Sequence, residues 1–340
     1  MTEGMIQKKP QEEKVPLKEL IFQKLKTRNS FLIFIILLAS AIVYYVEPRF
    51  LSQRNLTSMF MGMTYDLFLA MGMTLVLILG GIDLSVGSVL GLAGVTMTML
   101  LSRHQPYQLS LPLAIFVGLL VSGLCGLING LNVTKLKLAP FISTLGMMAI
   151  ARGLATVWTS GWYISGLPET YVLIGQGTFL GIPYPIYFAF GVMLIFGVLL
   201  TNWKPLNQSY YVGHNPEAAR MSGLRVKVIT LVGYSLSGVF AGLAALFMTS
   251  RLAMGFFQFG VFGELNAIAA AVIGGASFSG GRGNLFGTFL GVLLVAVVNN
   301  GFVFLSGDPN YKLFVQGLIV FVAIAVDAYR RRNELSELSK

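Results

Sequence analysis

The stretch Leu77–Gly94, LILGGIDLSVGSVLGLAG, decides what kind of fold this chain adopts. An apolar run stops at Gly80-Gly81, carries one acid at Asp83 and resumes as a helix rich in Gly and Ser. Such a break frees backbone N–H and C=O groups, which have no water to bind in hydrocarbon. It is tolerated only where protein or a water-filled cavity surrounds it. The stretch therefore predicts a discontinuous helix inside a membrane bundle.

The same pattern occurs a second time. GGIDLSVG (80–87) and GGASFSGG (274–281) are identical at four of eight positions, at an offset of 194 residues. Each follows a long apolar run and precedes a glycine-spaced one. Chance likeness between Gly/Ser-rich segments is the alternative, but the matching contexts favour a parallel internal repeat. Transporters built from repeats often place functional elements at paired broken helices.

Composition identifies an integral membrane protein. Of 340 residues, 55% are hydrophobic and 11% are charged, whereas soluble domains average about 25% charged residues. The net charge of +10 comes from basic residues between apolar runs, with no aromatic-plus-basic platform for nucleic acid. Cys125 is the single cysteine, which excludes a disulfide framework and a CxxC site. His104 and His214 are far apart in sequence, and we expect no metal site.

Ten apolar runs predict an all-α fold, each about long enough to cross a bilayer core of roughly 30 Å. The predicted spans are 31–46, 64–81, 86–102, 110–132, 138–159, 183–202, 227–249, 264–280, 285–305 and 311–328. The eighth could be partly re-entrant. Glu47-Pro48 follows the first run in place of a small-x-small cleavage site, so this run is a retained span and not a signal peptide.

Charge indicates the orientation. With a cytoplasmic N-terminus, 18 of the 24 Lys and Arg residues fall on the inside. This positive-inside bias places both termini in the cytoplasm, and both Gly-Gly breaks in the cytoplasmic half. The predicted organisation is a basic segment 1–29, a membrane domain 30–328 and a tail 329–340.

Small and aromatic residues have ordinary structural interpretations. The pairs Gly87/Gly91, Gly126/Gly130, Gly238/Gly242 and Gly287/Gly291 have the spacing that lets helix backbones approach closely in lipid. The longest outside loop, 160–182, and its flank carry Trp158, Trp162, Tyr163 and Tyr171. They fit an interfacial aromatic belt. A docking surface for an external partner is the alternative.

The 203–226 segment contains a short capped helix. Asn215 can act as N-cap, Pro216 suits the first turn and Glu217 favours the positive end of the helix dipole. Gly223 can close the helix in a left-handed cap. Ala218 and Ala219 offer a small face that could seat in a groove on another protein. An ordinary amphipathic loop helix is the alternative.

Glu217-Ala218-Ala219, followed after three residues by Gly223, resembles the coupling loop of binding-protein-dependent ABC importer permeases. GGIDLSVGS (80–88), SGLRV (222–226), ELNAIAAAVIGG (264–275) and SGGRGNLFGTFLG (279–291) are similar to the ribose/galactose/xylose branch of those permeases. The resemblance runs from about Phe50 to Asp327. Two departures bear on substrate identity: His214 stands where relatives commonly have Gly, and Asn266 where they commonly have Asp.

The resemblance implies a permease of the bacterial inner membrane that carries a monosaccharide (a pentose, hexose or related small solute) inward. It implies a second permease copy or paralogue, a cytoplasmic ABC ATPase subunit and an extracytoplasmic sugar-binding protein. The chain contains no GxxxxGK[ST] phosphate loop, so ATP and Mg²⁺ belong on the partner. This chain is then a transport subunit and not itself an enzyme, with no cofactor of its own.

Candidate site residues fall into three groups. The expected ATPase contact comprises Asn215, Pro216, Glu217, Ala218, Ala219, Arg220 and Gly223. Amides and hydroxyls suit neutral sugars, and the candidates for pathway or gate are Gly80, Gly81, Asp83, Ser85, Asn129, Ser143, Thr144, Gly274, Gly275, Asn299 and Asn300. Asp83 could instead cap a helix, and Asn299-Asn300 could join helices by hydrogen bonds. Arg152 and Glu264 could pair as a structural bridge.

Two other classes of function fit the sequence less well. A secondary transporter driven by an ion gradient would need ionisable residues deep in several spans, whereas Asp66 is predicted near a span end and Asp83 at a break. A membrane-embedded enzyme would need converging His, Asp, Glu or Cys groups, of which the chain offers few.

Overall fold

The computed structural model describes residues 28–306 and five further helical residues, Phe314, Gly317, Leu318, Phe321 and Ala325. The basic segment up to Thr27, the tail 329–340 and nearly all of the predicted tenth span lie outside the described residues.

Helices make up most of the described chain. Its helices are α1 Arg28–Val46, α2 Gln53–Ile78, α3 Val86–Leu101, α4 Leu111–Thr134, α5 Pro140–Thr159, α6 Glu169–Gln176, α7 Tyr184–Asn202, α8 Lys204–His214, α9 Pro216–Met221, α10 Val226–Leu252, α11 Gly263–Ile273 and α12 Leu285–Ser306. A 3-10 turn spans Pro48–Leu51, and the two-residue strands β1 Thr178–Phe179 and β2 Ile182–Pro183 form a small antiparallel hairpin. Among the described residues, seven helices are long and apolar enough to cross a membrane: α1, α2, α4, α5, α7, α10 and α12.

Helix α2 is the centre of the bundle. It packs against α10, α11 and α12, and 89% of its apolar window is buried, against 17% for α1. Ser52 caps it by accepting a hydrogen bond from the Asn55 N–H. The prediction that this span begins at residue 64 is therefore wrong by eleven residues. The polar residues at 53–55 lowered the local hydropathy and concealed the first turns of the helix.

Helix α11 covers only part of the predicted eighth span. At eleven residues it is about 16 Å long, roughly half of the hydrocarbon core. A Cβ at Gly263 would lie 2.9 Å from a methyl of Leu69 and 3.9 Å from Gly87 Cα, so α11 begins level with the middle of α2. The irregular segments 253–262 and 274–284 complete the crossing.

The loops that connect the helices lie at two opposite ends of the bundle. At one end, Ile164 and Gly255 form a backbone bridge, and Gln176 donates to the Arg251 carbonyl. We call this the 160–182 end. At the other, the Gly281 N–H donates to the Ile78 carbonyl oxygen, 2.8 Å away, beside α8. We call this the 203–226 end. The alternation matches the predicted order of spans.

Glycine pairs bring helix backbones together as predicted. Gly126 of α4 lies against the Tyr234 carbonyl, and Gly238 of α10 lies against Ser122. A Cβ at either glycine would overlap the opposite backbone, so only glycine permits this crossing.

The aromatic-belt interpretation is wrong for Tyr171. This residue lies in α6 and is 0% exposed, with its hydroxyl 2.6 Å from that of Thr249. Trp158, Trp162 and Tyr163 remain exposed. Tyr171 is buried because α6 folds back against α10, a contact between residues almost eighty positions apart.

Candidate functional site

Both Gly-Gly breaks end a helix with the same cap. At the end of α2, Gly80 N–H bonds the Leu77 carbonyl and Gly81 N–H bonds the Val76 carbonyl. At the end of α11, Gly275 and Ala276 make the same two bonds to Val272 and Ala271. This is a Schellman motif, whose left-handed residue is Gly80 (φ 78°) or Gly275 (φ 97°). The shared cap strengthens the case for an internal repeat.

The register of the two breaks shifts by one residue. The left-handed glycines are 195 positions apart, but the serine turns that follow are 194 apart. In the first turn the Ser85 N–H bonds Asp83 Oδ1 at 3.0 Å, and in the second the Ser279 N–H bonds Ser277 Oγ at 3.2 Å. The first break thus holds one extra residue between cap and turn, and its turn carries the carboxylate.

Asp83 is the centre of a buried polar network. The side chain is 1% exposed. Its Oδ1 accepts from the Ser85 hydroxyl at 2.6 Å, and its Oδ2 accepts from the Ser237 hydroxyl at 2.9 Å. Asp83 also forms the turn that precedes α3, whose N-cap is Ser85. The carboxylate therefore ties the first break to α10.

The network extends to α4 and α5. Asn129 donates to the Ser85 hydroxyl at 2.9 Å and accepts from the Ser143 hydroxyl at 3.4 Å. The Thr144 hydroxyl reaches the Ile82 carbonyl at 3.3 Å. The structure thus brings together seven predicted residues: Gly80, Gly81, Asp83, Ser85, Asn129, Ser143 and Thr144.

Sequence reasoning missed two members of this site, both on α10. They are Ser237, which binds Asp83, and Tyr234, whose buried hydroxyl lies where a Cβ of Gly81 would be. The Tyr234 hydroxyl has no hydrogen-bond partner among the described residues. No local pattern marks either residue, because their role depends on the crossing of α10 over the first break.

At the second break, Gly274 and Gly287 lie in backbone contact. The Arg28 guanidinium of α1 donates to the Gly274 carbonyl at 2.5 Å, and Asn284 caps α12 by accepting from Gly287 N–H at 2.6 Å. The start of the first helix is therefore tied to this break.

The two breaks meet each other and α8 at the 203–226 end. A Cβ at Gly80 would lie 3.9 Å from both Gly280 Cα and the Gly213 carbonyl oxygen. A Cβ at Gly213 would overlap the carbonyl oxygen of Ile78. The Tyr210 hydroxyl donates to the Gly283 carbonyl at 2.9 Å. Burial raises the pKa of Tyr210, which keeps this donor protonated. Helix α8 is thus seated between both breaks.

Helix α9 follows directly after α8 in the chain. Asn215 Oδ1 accepts from the N–H groups of Glu217 and Ala218 at 3.0 Å, as the cap prediction requires. Gly223 (φ 82°) closes α9 in a Schellman motif. Glu217 and Arg220 pair at 2.6 Å, both 70% exposed. The unpredicted Met221 is 83% exposed.

The prediction that Ala219 faces a partner is wrong. Ala219 is 5% exposed and packs against Val212 and Ile229 of its own chain. The other five residues of α9, Pro216, Glu217, Ala218, Arg220 and Met221, are all exposed.

Two other predicted groups lie outside the Asp83 network. Asn300, near the far end of α12, exchanges hydrogen bonds with Asn55 at 2.8 and 3.1 Å, and so joins α12 to α2. Arg152 and Glu264, both described, form no salt bridge within 4.0 Å. Arg152 instead donates to the carbonyl oxygens of Phe257 and Phe259 in loop 253–262.

These features define a class of protein: a polytopic membrane protein in which an exposed short helix is linked to two buried helix breaks. A family model described as "Branched-chain amino acid transport system / permease component" matches residues 55–324. The chain therefore belongs to this family of transport-system permeases.

Three relatives match along nearly their whole length. The chain is 39% identical to a ribose import permease protein of Bacillus subtilis, over 84% of this chain and 88% of the relative. It is 36% identical to a D-allose transport system permease protein of Escherichia coli, over 86% and 90%. It is 32% identical to an L-arabinose ABC transporter permease protein of Azospirillum brasilense, over 92% and 91%.

Proposed function

We propose that this protein is the membrane-spanning permease subunit of an ABC importer that carries a monosaccharide into the cytoplasm. Its relatives are named for ribose, D-allose and L-arabinose, which points to a pentose or hexose. The observation that supports the mechanism is that α8 packs between the two helix breaks.

The 203–226 end is the side proposed to face the cytoplasm. Among the described residues outside the helix interiors, this end carries Arg28, Lys135, Lys137, Lys204, Arg220, Arg225, Lys227 and Arg282, whereas the 160–182 end carries Arg49, Arg54, Arg103 and Arg251. This bias favours a cytoplasmic 203–226 end and cytoplasmic termini.

The partners follow from that orientation. An ATPase subunit, which supplies the site for ATP and Mg²⁺, docks on the exposed face of α9. A sugar-binding protein docks at the 160–182 end, and a second permease copy or paralogue completes the membrane pore.

Coupling then acts through α8. A push on α9 moves Gly213 against the end of α2 and Tyr210 against Gly283. Packed interiors switch between discrete arrangements and do not deform continuously. ATPase closure can therefore reset both breaks together, and this gives alternating access without a covalent step.

The ion-gradient alternative receives no support from the relatives, two of which are named as import or ABC permeases. Asp66, predicted near a span end, lies halfway along α2, and its neighbour Tyr65 accepts a hydrogen bond from Arg251 in the last turn of α10.

Co-purification from native membranes in mild detergent tests the proposal. An exposed ion pair contributes about 0–1 kcal/mol, so Glu217→Lys should fold normally and yet lose most of the ATP-binding subunit. Lys137→Glu, an exposed charge reversal at the same end away from α9, is the matched control and should retain it. Recovery of the chain alone in every variant, with uptake abolished by an ionophore and not by ATP depletion, would instead support a secondary transporter.

A further inference from the structure

Asp66 is an acidic residue in the middle of the membrane-spanning helix α2. It is the fourteenth of the 26 residues of α2, about 18–20 Å from either end, and is partly exposed at the subunit surface. A carboxylate within a membrane-spanning helix is costly and almost always faces a bundle interior or a water-filled cavity. The exposed side of Asp66 is therefore not a lipid-facing side.

An amide lies beside this carboxylate. Asn266, in the first turn of α11, is 9% exposed and donates from Nδ2 to Asp66 Oδ1 at 3.4 Å. Together the two side chains present acceptor oxygens and an amide donor at one point. Hydroxyl groups of a neutral sugar both donate and accept, so they match this set.

The approach to the pair is open and polar. Ser58, Gly62 and Asp66 recur every four residues, which places them on one face of α2. Ser58 is exposed, and a Cβ at Gly62 would meet nothing within 4 Å. Asn55 lies one turn before Ser58, at the 160–182 end. By contrast, the exposed faces of α4 and α7 carry large apolar side chains such as Phe116, Leu120 and Ile195, as lipid contact requires.

The backbone around the pair gives an independent indication. Helix α11 begins level with the middle of α2, so the irregular segment 253–262 fills its place in the outer half. Irregular backbone at this depth is tolerated only when protein buries it or it lines a water-filled cavity. The contact between Asp66 and Asn266 thus lies where α2 meets the first turn of α11, directly after this irregular segment.

We propose that Asp66 and Asn266 form a solute subsite that binds neighbouring hydroxyl groups of the transported monosaccharide. The face of Ser58 and Gly62 is the water-accessible approach to it from the 160–182 end. The inference rests on the proposed function, and it adds residues on a different face of the bundle from the Asp83 network.

Cysteine accessibility tests the water-filled approach. Cys125 is the single cysteine, so Cys125→Ser is the parent for Ser58→Cys and Gly62→Cys, with Ile195→Cys as the exposed control in the middle of α7. The complete importer is treated in vesicles with a charged thiosulfonate. Because the thiolate is the reactive form and needs water, cysteines at 58 and 62 should react at least about tenfold faster than at 195.

Equal, slow reaction at 62 and 195 would overturn the proposal, because it would place this face of α2 in lipid or in a dry subunit interface. ATP-driven uptake by the Cys125→Ser parent is measured in the same vesicles. If uptake is ATP-driven but Gly62→Cys is unreactive, only the subsite fails. If uptake does not need ATP, the proposed function fails instead.

Swapping the two groups separates solute contact from helix positioning. Uptake of D-ribose, D-allose, L-arabinose and D-galactose is compared for Asp66→Asn, Asn266→Asp and the double variant, which restores a carboxylate–amide pair in reversed order. A hydrogen bond to a charged group is worth about 1.5–3 kcal/mol, so the relative kcat/KM between sugars should change by about tenfold or more. If the single variants lower uptake of all four sugars equally and the double variant restores uptake of all four, the pair only positions α11, and the proposal is wrong.

Discussion

Asp83 shows how one residue can hold a helix break in place inside a membrane protein. Its carboxylate accepts hydrogen bonds from the Ser85 N–H and hydroxyl and from the Ser237 hydroxyl. It lies where the chain has left one helix and has not yet begun the next, so these bonds replace part of the missing backbone ladder. These contacts place Asp83 in the turn before α3, and the gating role considered for it from the sequence stays a prediction.

Substitutions at Asp83 should show whether the turn needs a hydrogen-bonding side chain at this position or a negative charge. Asp83→Ala leaves buried donors at Ser85 and Ser237 without an acceptor, at a cost of about 1–3 kcal/mol for each unsatisfied group. Asp83→Asn keeps the turn, because serine hydroxyls accept as well as donate. We expect thermal unfolding of the purified protein to show a large loss of stability for Ala and a small loss for Asn. If both variants are equally destabilised, the charge itself is required.

At the scale of elements, the seat of α8 explains why a glycine is needed at position 213. Gly213 is buried, and its α-carbon faces the Ile78 carbonyl at the end of α2 and the Gly281 N–H of the second break. No side chain fits between these backbones. The close approach is what makes α8 a rigid contact and not a loose connection.

Gly213→Ala should therefore impair both folding and transport. Alanine is favoured over glycine in a helix by about 1 kcal/mol, yet here overpacking should cost about 1–3 kcal/mol and force α8 off both breaks. Thermal unfolding and ATP-driven uptake measure the two effects. Gly153→Ala, on α5 with nothing within 4 Å of the added Cβ, is the control and should be neutral or stabilising. A normal Gly213→Ala importer would contradict the coupling role of α8.

At the scale of the whole molecule, the two ends should face opposite compartments. Trp162 is 73% exposed at the 160–182 end and Met221 is exposed at the 203–226 end. In a Cys125→Ser background, an impermeant thiol reagent should label Trp162→Cys in intact spheroplasts and Met221→Cys in inverted vesicles. The reversed labelling pattern would place α9 outside the cell, where a cytoplasmic ATPase subunit could not bind it.

Most local features were predictable from the sequence. The Gly-Gly breaks, the Asn215 cap, the Gly223 closure and the glycine packing pairs were all found where expected. Each depends on the φ preference of glycine, on a side chain within a few residues of the backbone it caps, or on a spacing along one helix. The errors at α2 and α11 arose because average hydropathy does not detect a polar first turn or a helix that begins at mid-depth.

The sequence by itself determined a multi-pass helical permease with two broken helices and a capped helix between spans, because these properties are local. Only the tertiary structure decided that the two breaks meet, that Ala219 and Tyr171 are turned inward, and that Asn266 lies beside Asp66. These contacts join residues that are mostly remote in sequence. They depend on which helix faces pack together, and apolar periodicity does not specify this in a membrane, where many faces are equally hydrophobic.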